Sequence, residues 1–145
     1  MYLESINPVD YKPIKKYREY GQEKVKSIID QTQNAFLTWK KHPHSHRVEC
    51  LKKASDILLS RKEEFAQLIT LEMGKPIVQA REEIEKCAWG CRYYADNTKL
   101  FLVDEPIVTE ASNSFVSYEP LGIILAIMPW NFPFWQVFRF AAPAI

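Results

Sequence analysis

Apolar residues recur at Val25, Ile28, Ile29, Ala35, Phe36 and Trp39, and this three-and-four spacing predicts an amphipathic helix opening after Gly21. Lys40 and Lys41 fall in its expected last turn, where cations suit the negative end of the helix dipole, and His42-Pro43-His44 breaks it. A second helix is expected from Ser45 to Leu59, with Val48, Leu51, Ala54 and Leu58 on one face. Ser60-Arg61-Lys62-Glu63 has the form of a capping box, and Phe65, Leu68, Ile69 and Met73 continue a third apolar stripe. Gly74 stands where a left-handed C-terminal residue belongs, with Pro76 just beyond as a stop. The next helix runs from about Pro76 to Asn97. Its buried face is expected to carry Ile77, Ala80, Ile84, Cys87, Ala88, Cys91, Tyr94 and Ala95. The pairs Arg81–Glu85 and Glu82–Lys86 are spaced to meet on its outer face, where Glu82, Glu83 and Glu85 read as solvated charges.

The two ends of the chain read differently. Pro8 and Pro13 among Ile6, Val9 and Ile14 make residues 1–20 extended, edge-type structure. Phe101–Val103, Ile107–Thr109 and Phe115–Tyr118 read as strands of a protruding arm, interrupted by Asp104-Glu105-Pro106 and the turn cluster Ala111–Ser114. Gly122–Ile127 lacks polar alternation and is expected to be a strand of a parallel sheet, buried on both faces. Pro133 is placed to open a further helix at its first position. The order points to an α/β fold in three parts. Residues 1–101 form a helical part, 102–120 a β arm, and 121–145 a parallel strand with its following helix.

Composition narrows the function. Nineteen Lys and Arg against 18 Asp and Glu give a net charge of +1 over 145 residues, which removes the electrostatic case for a nucleic-acid binder. The eight residues Leu121–Met128 carry no charge or amide, far short of the roughly 20 that a spanning helix needs, so no membrane role is expected. Three Cys make no disulfide framework, and the charged N-terminus has no apolar signal region; a cytoplasmic protein is the expectation. The four Gly (21, 74, 90 and 122) match neither a dinucleotide fingerprint nor a phosphate loop. The strongly apolar stretch beginning at Leu121 is expected to be core whose packing partners lie outside these residues.

Few side chains suggest chemistry by spacing alone. His42, His44 and His46 lack the further ligands a metal centre needs and read as a polar loop; no metal is expected. Cys87 and Cys91, one helical turn apart on an apolar face, read as small buried hydrophobes. Met128-Pro129-Trp130-Asn131-Phe132-Pro133 stands apart, because it joins an expected buried strand to an expected helix N-terminus, a place where α/β sheets bind ligands and favour anions. Asn131 puts an amide donor there, suited to stabilising a developing oxyanion, although the same residue also serves simply as a turn or N-cap.

Met-Pro-Trp-Asn-Phe-Pro following Glu-Pro-Leu-Gly-Ile-Ile-Leu-Ala-Ile closely resembles the signature in the N-terminal half of the aldehyde dehydrogenase superfamily. Leu-Glu-Met-Gly-Lys-Pro at 71–76, the run Ala80–Ile84, Asn7-Pro8, and Ala35-Phe36 with Trp39 resemble that family too, so the likeness covers essentially the whole chain. Gln136-Val137-Phe138-Arg139 is most similar to members of the succinate-semialdehyde dehydrogenase type. The resemblance implies oxidation of an aldehyde through thiolate attack, hydride transfer to NAD or NADP, and acyl-enzyme hydrolysis. It makes Asn131 the oxyanion donor. It lets Ile127, Met128, Pro129, Trp130 and Asn131 border the nicotinamide-ribose end of the cofactor, and gives Phe132 and Arg139 to the substrate, the guanidinium matching a semialdehyde carboxylate bidentately. It also implies that residues 102–120 mediate a homo-oligomer, a dimer or tetramer, and that the partner is a small-molecule aldehyde. None of Cys50, Cys87 or Cys91 matches the family's nucleophile, and the general-base Glu and pyrophosphate-holding turn are expected beyond residue 145. These 145 residues are therefore expected to be inactive alone. The competing class is a non-catalytic helical interaction module that keeps the family sequence.

Overall fold

Proline placement explains the first element. In the computed structural model, which describes residues 1–145, strand β1 (Tyr2–Ile6) pairs antiparallel with β2 (Pro13–Arg18). Pro13 sits at the first position of its strand, opposite Ile6, where a missing N–H costs the ladder least. The tip is closed by Asn7, whose side-chain oxygen accepts from the Val9 amide at 2.9 Å.

Helix α1 (Gln22–Trp39) forms where its periodicity predicts it, yet buries no residue: Val25, Ile28 and Ile29 remain exposed. Lys40 and Lys41 fall just past its end rather than in its last turn. Helix α2 (His44–Ser60) brings Leu51, Ser55 and Leu58 inward, with Val48 and Ala54 half-buried. The expected capping box does not form. Ser60 stays in α2 and its hydroxyl donates back to the Ile57 carbonyl at 3.1 Å, a local bond that competes with capping. Helix α3 (Lys62–Met73) instead starts after Arg61 with no side-chain cap.

Gly74 ends α3 in the left-handed conformation, φ 73°, as its position predicts. Helix α4 (Ile77–Phe101) is the centre of the molecule, packing against α2, α3 and α5 (Trp135–Ala144). Ala80, Ile84, Cys87, Ala88, Cys91 and Ala95 are buried along it, while Ile77 and Tyr94 only pack against the core's edge. Only 15 of the 145 residues are buried, so the core is one thin layer around α4. Ser55 crosses that layer, its hydroxyl donating to the Ala88 carbonyl at 2.9 Å.

The outer charges of α4 pair between helices rather than along it. Arg81 forks onto Glu63 of α3 at 2.8–3.0 Å and Lys62 reaches Glu85 at 2.8 Å, so neither expected i,i+4 pair forms. Glu83 departs furthest from expectation. It is 4% exposed and belongs to the buried face.

Beyond α4 the strands are shorter than predicted. Phe101 closes the helix and Leu102–Val103 turn away from it, so no strand starts there. The arm is a small antiparallel hairpin, β3 (Glu105–Pro106) with β4 (Phe115–Val116), and Ile107–Thr109 lies outside it. Gly122–Ile127 forms no strand and is not buried. Leu125 and Ile127 are more than four-fifths exposed, because a parallel strand exists only through neighbouring strands and neither hairpin lies beside it. The architecture is α/β, five helices with two short antiparallel hairpins. No helix is long and apolar enough to cross a membrane.

Candidate active site

The segment Met128–Phe134 passes over the N-terminal part of α4 and becomes α5. The first backbone bond of that helix runs from the Gln136 amide to the Phe132 carbonyl at 3.0 Å. Pro133 thus stands in the opening turn, two residues before the regular helix, where its missing N–H would have had no intrahelical partner. The next two amides need an acceptor. Glu83 supplies it: Oε1 accepts from the Phe134 and Trp135 N–H groups, each at 3.0 Å. A carboxylate on α4 thereby does for α5 what an N-cap side chain does within a helix, and its charge matches the positive end of the dipole.

Glu83 is itself held. Its Oε2 bonds the Lys75 ammonium, and both residues are buried. The same ammonium lies 3.7 Å from the centroid of the Phe132 ring, and Lys86, one turn beyond Glu83 on α4, lies 4.3 Å from the Trp135 ring. Phe134 packs inward against Phe65 with centroids 5.1 Å apart. Gly90 faces the Trp135 ring, which a Cβ there would meet at 3.5 Å, an ordinary van der Waals contact. Phe132, Phe134 and Trp135 are therefore each tied to α3, to α4 or to the junction between them.

Asn131 sits on the outward side of this clamped turn. It is exposed and makes no hydrogen bond within the chain. Trp130, 76% exposed, lines a cavity of about 460 Å³ with Pro8, Leu68, Met73 and Pro133. Pro8 also reaches Gly74, where a Cβ would stand 3.2 Å from its ring. The Asn7-Pro8, Gly-Lys-Pro and Pro-Trp-Asn-Phe-Pro stretches, far apart in sequence, thus converge on one side of α3 and α4. Ile127 is exposed like Trp130, and Met128 is half-buried. Arg139 lies on α5 next to inward-facing Phe138, is exposed, and pairs with no carboxylate.

A larger groove, about 590 Å³, runs between α1 and α5 past Phe36, Trp39, Ile124 and Phe140, but its lining is largely apolar. The three imidazoles are spread between packing roles: His42 stacks on His46 at 4.4 Å and both meet the Trp39 ring edge-on, while His44 opens α2. Cys87 and Cys91 are fully buried, and burial pushes their thiols up to about 12 and about 11. Neither is poised as a nucleophile. Cys50 is half-buried, its Sγ 3.8 Å from His46 Nε2.

Glu83 and Lys75 are the site residues that sequence reasoning missed. The signal was present: Glu83 is three residues after Ala80 and four before Cys87, on the apolar stripe itself, where a carboxylate must find a partner.

The sequence and the fold are both similar to known proteins. The chain is 49% identical over its whole length to a protein of Synechocystis described as a probable NADP-dependent succinate-semialdehyde dehydrogenase, and 38% identical to such an enzyme of Mycobacterium leprae. It spans 32% of the length of each. Among solved structures, succinic semialdehyde dehydrogenase from Streptococcus pyogenes in complex with NADP+ superposes with a TM-score of 0.93 at 28% identity. That match covers 99% of this chain and 32% of that one. A glyceraldehyde-3-phosphate dehydrogenase of Methanocaldococcus jannaschii, complexed with NADP, gives 0.92 at 32% identity over 98% of this chain and 31% of that one. The aldehyde dehydrogenase family model matches residues 1–145, and the chain belongs to that family.

Proposed function

We propose that this chain supplies the oxyanion-donor side of an NAD- or NADP-dependent aldehyde dehydrogenase whose substrate is succinate semialdehyde or a similar carboxylated aldehyde. The observation that carries the reading is the state of Asn131: an exposed amide with no partner in the chain, on a turn fastened at Phe132, Phe134 and Trp135. An amide held this way donates to an oxygen that gains charge without first reorganising, which is how oxyanion donors lower a barrier.

The residues beside it fit the nicotinamide-ribose end of such a cofactor. Ile127 and Trp130 offer exposed apolar faces, and the peptide groups of 121–129 are not engaged in any sheet. No glycine-rich turn in the chain would hold a pyrophosphate. When bound, the cofactor accepts the hydride from the substrate carbon. The part of this chain is to border that carbon and hold its oxygen. The similarity to enzymes named for NADP and succinate semialdehyde supports both the cofactor and the substrate. Arg139, exposed and unpaired on the helix that Asn131 leads into, is the group proposed to receive the distal carboxylate, with Phe132 beside the substrate. The nucleophilic thiol and general base are proposed to lie outside these 145 residues. The β3–β4 arm, with residues 102–120, is proposed to serve in a homo-oligomer.

The test is Asn131→Ala in the full-length enzyme. The expected result is a fall in kcat of about 10²–10³ with little change in KM for the aldehyde, the size seen when one oxyanion donor is removed elsewhere. A variant with unaltered kcat would overturn the assignment.

A further inference from the structure

We propose that Glu83, fixed by Lys75, is a positioning residue for the reaction: through the Phe134 and Trp135 amides it sets the turn that aims Asn131. The proposal rests on the reading of Asn131 as oxyanion donor and adds to it a part of the machinery that touches no substrate.

Three observations carry it. Glu83 is 4% exposed, and both of its oxygens are used, one by two backbone amides and the other by an ammonium. A buried carboxylate kept only for packing would be replaced well by an apolar side chain, whereas this one spans two helices that share no backbone bond. The two amides it holds follow Asn131 by three and four residues, with Pro133 stiffening the interval. Lys75 meanwhile grips both ends of the turn, bonding Glu83 and covering the Phe132 ring. A shift of the Glu83 carboxylate therefore moves the Phe134 and Trp135 peptides, and with them the turn on which Asn131 stands. Misplacement of about 1 Å by a change remote from the chemistry is enough to slow a reaction as much as 10²-fold.

The experiment is a double-mutant cycle in the full-length enzyme: Glu83→Gln, Asn131→Ala and the two together, with Glu83→Asp as the charge-retaining variant. Glu83→Gln is expected to lower kcat at least about tenfold with KM for the aldehyde nearly unchanged. The Asn131→Ala background should abolish that loss, because an absent amide cannot be misaimed. Hydrogen exchange followed by mass spectrometry should show faster exchange in the peptide containing Phe134 and Trp135, with the rest of α4 unaffected. Losses in kcat that multiply in the double variant would overturn the proposal, since a merely structural role acts whether or not Asn131 is present. If Asn131→Ala itself leaves kcat intact, it is the oxyanion reading that fails. Should Glu83→Gln not fold, Lys75→Met with Glu83→Leu removes both buried charges together with the acceptor. This pair is expected to fold and to show the same dependence on Asn131, and its full activity would refute the proposal.

Discussion

At the scale of single residues, chemistry follows from which polar groups are engaged and which are left free. Glu83 has both oxygens occupied and Asn131 has no partner, so the first holds and the second is available to donate. Arg139 is free in the same sense. On the proposed function, Arg139→Ala in the full-length enzyme should raise KM for succinate semialdehyde far more than for an uncharged aldehyde of similar length, because a bidentate charged contact is lost only with the former. Equal effects on both would reject the assignment. The buried thiols make a separate prediction. Cys87 and Cys91 stay protonated in the folded chain up to about 12 and about 11, against an ordinary value of 9.0. Between those limits the unfolded chain has given up protons that the folded one retains, so their contribution to stability, complete below pH 9, is lost as pH rises toward 11 and 12. Denaturant midpoints measured across that range should fall, and Cys87→Ala should flatten the slope. Alkylation of the native protein at pH 8 should likewise leave both cysteines unmodified, whereas their labelling without denaturation would contradict the burial.

At the scale of elements, periodicity shows where a helix forms, but the partner that covers it decides whether its face is buried. Gln22–Trp39 has the helical spacing and forms a helix, yet of its apolar stripe only Phe36 and Trp39 at the C-terminal end are half-buried, while Val25, Ile28 and Ile29 stay exposed. Gly122–Ile127 is the same lesson for a strand: an unalternating apolar run reads as buried, and nothing beside it completes a ladder. The stop at Gly74 was legible because a left-handed end needs glycine locally, whereas the capping box at Ser60 was not decisive, since the hydroxyl had a nearer carbonyl to bond. In the site, the Trp130-Asn131-Phe132 stretch was legible from its residue types and family likeness. The Glu83 clamp was hidden by its neighbours, because Glu82 and Glu85 really are surface charges on the same helix. Two glycines test the local argument. Gly74→Ala places a Cβ at a positive φ and 3.2 Å from Pro8, and should cost about 1–2 kcal/mol for the backbone alone. Gly21→Ala, with φ −73° according to its cap geometry and open space around it, should be neutral or stabilising by up to about 1 kcal/mol. Thermal melts of the two variants should separate clearly, and equal midpoints would refute the strain at Gly74.

For the whole molecule, the balance between a thin core and a wide apolar surface is what matters. The buried layer around α4 is held by Leu51, Leu58, Ile69 and Ile84, and truncating Ile84 to Ala should cost about 2–5 kcal/mol. Against that layer stand Val25, Ile28 and Ile29 on α1, Leu121, Ile124, Leu125 and Ile127 before the site, and Val137 and Phe140 on α5, all exposed. Soluble monomers rarely show contiguous apolar surface on this scale unless it is an interface. The curated relatives are about three times as long, so the further two-thirds of such a protein has ample surface with which to cover these faces. Produced alone, residues 1–145 should therefore associate with rising concentration, bind a hydrophobic dye, and give no turnover of succinate semialdehyde with NAD or NADP. Light scattering and the absorbance of reduced cofactor would read these outcomes. A monodisperse, cooperatively melting monomer would argue instead for an autonomous interaction module, and sustained turnover would refute the proposal that the thiol nucleophile lies outside this chain.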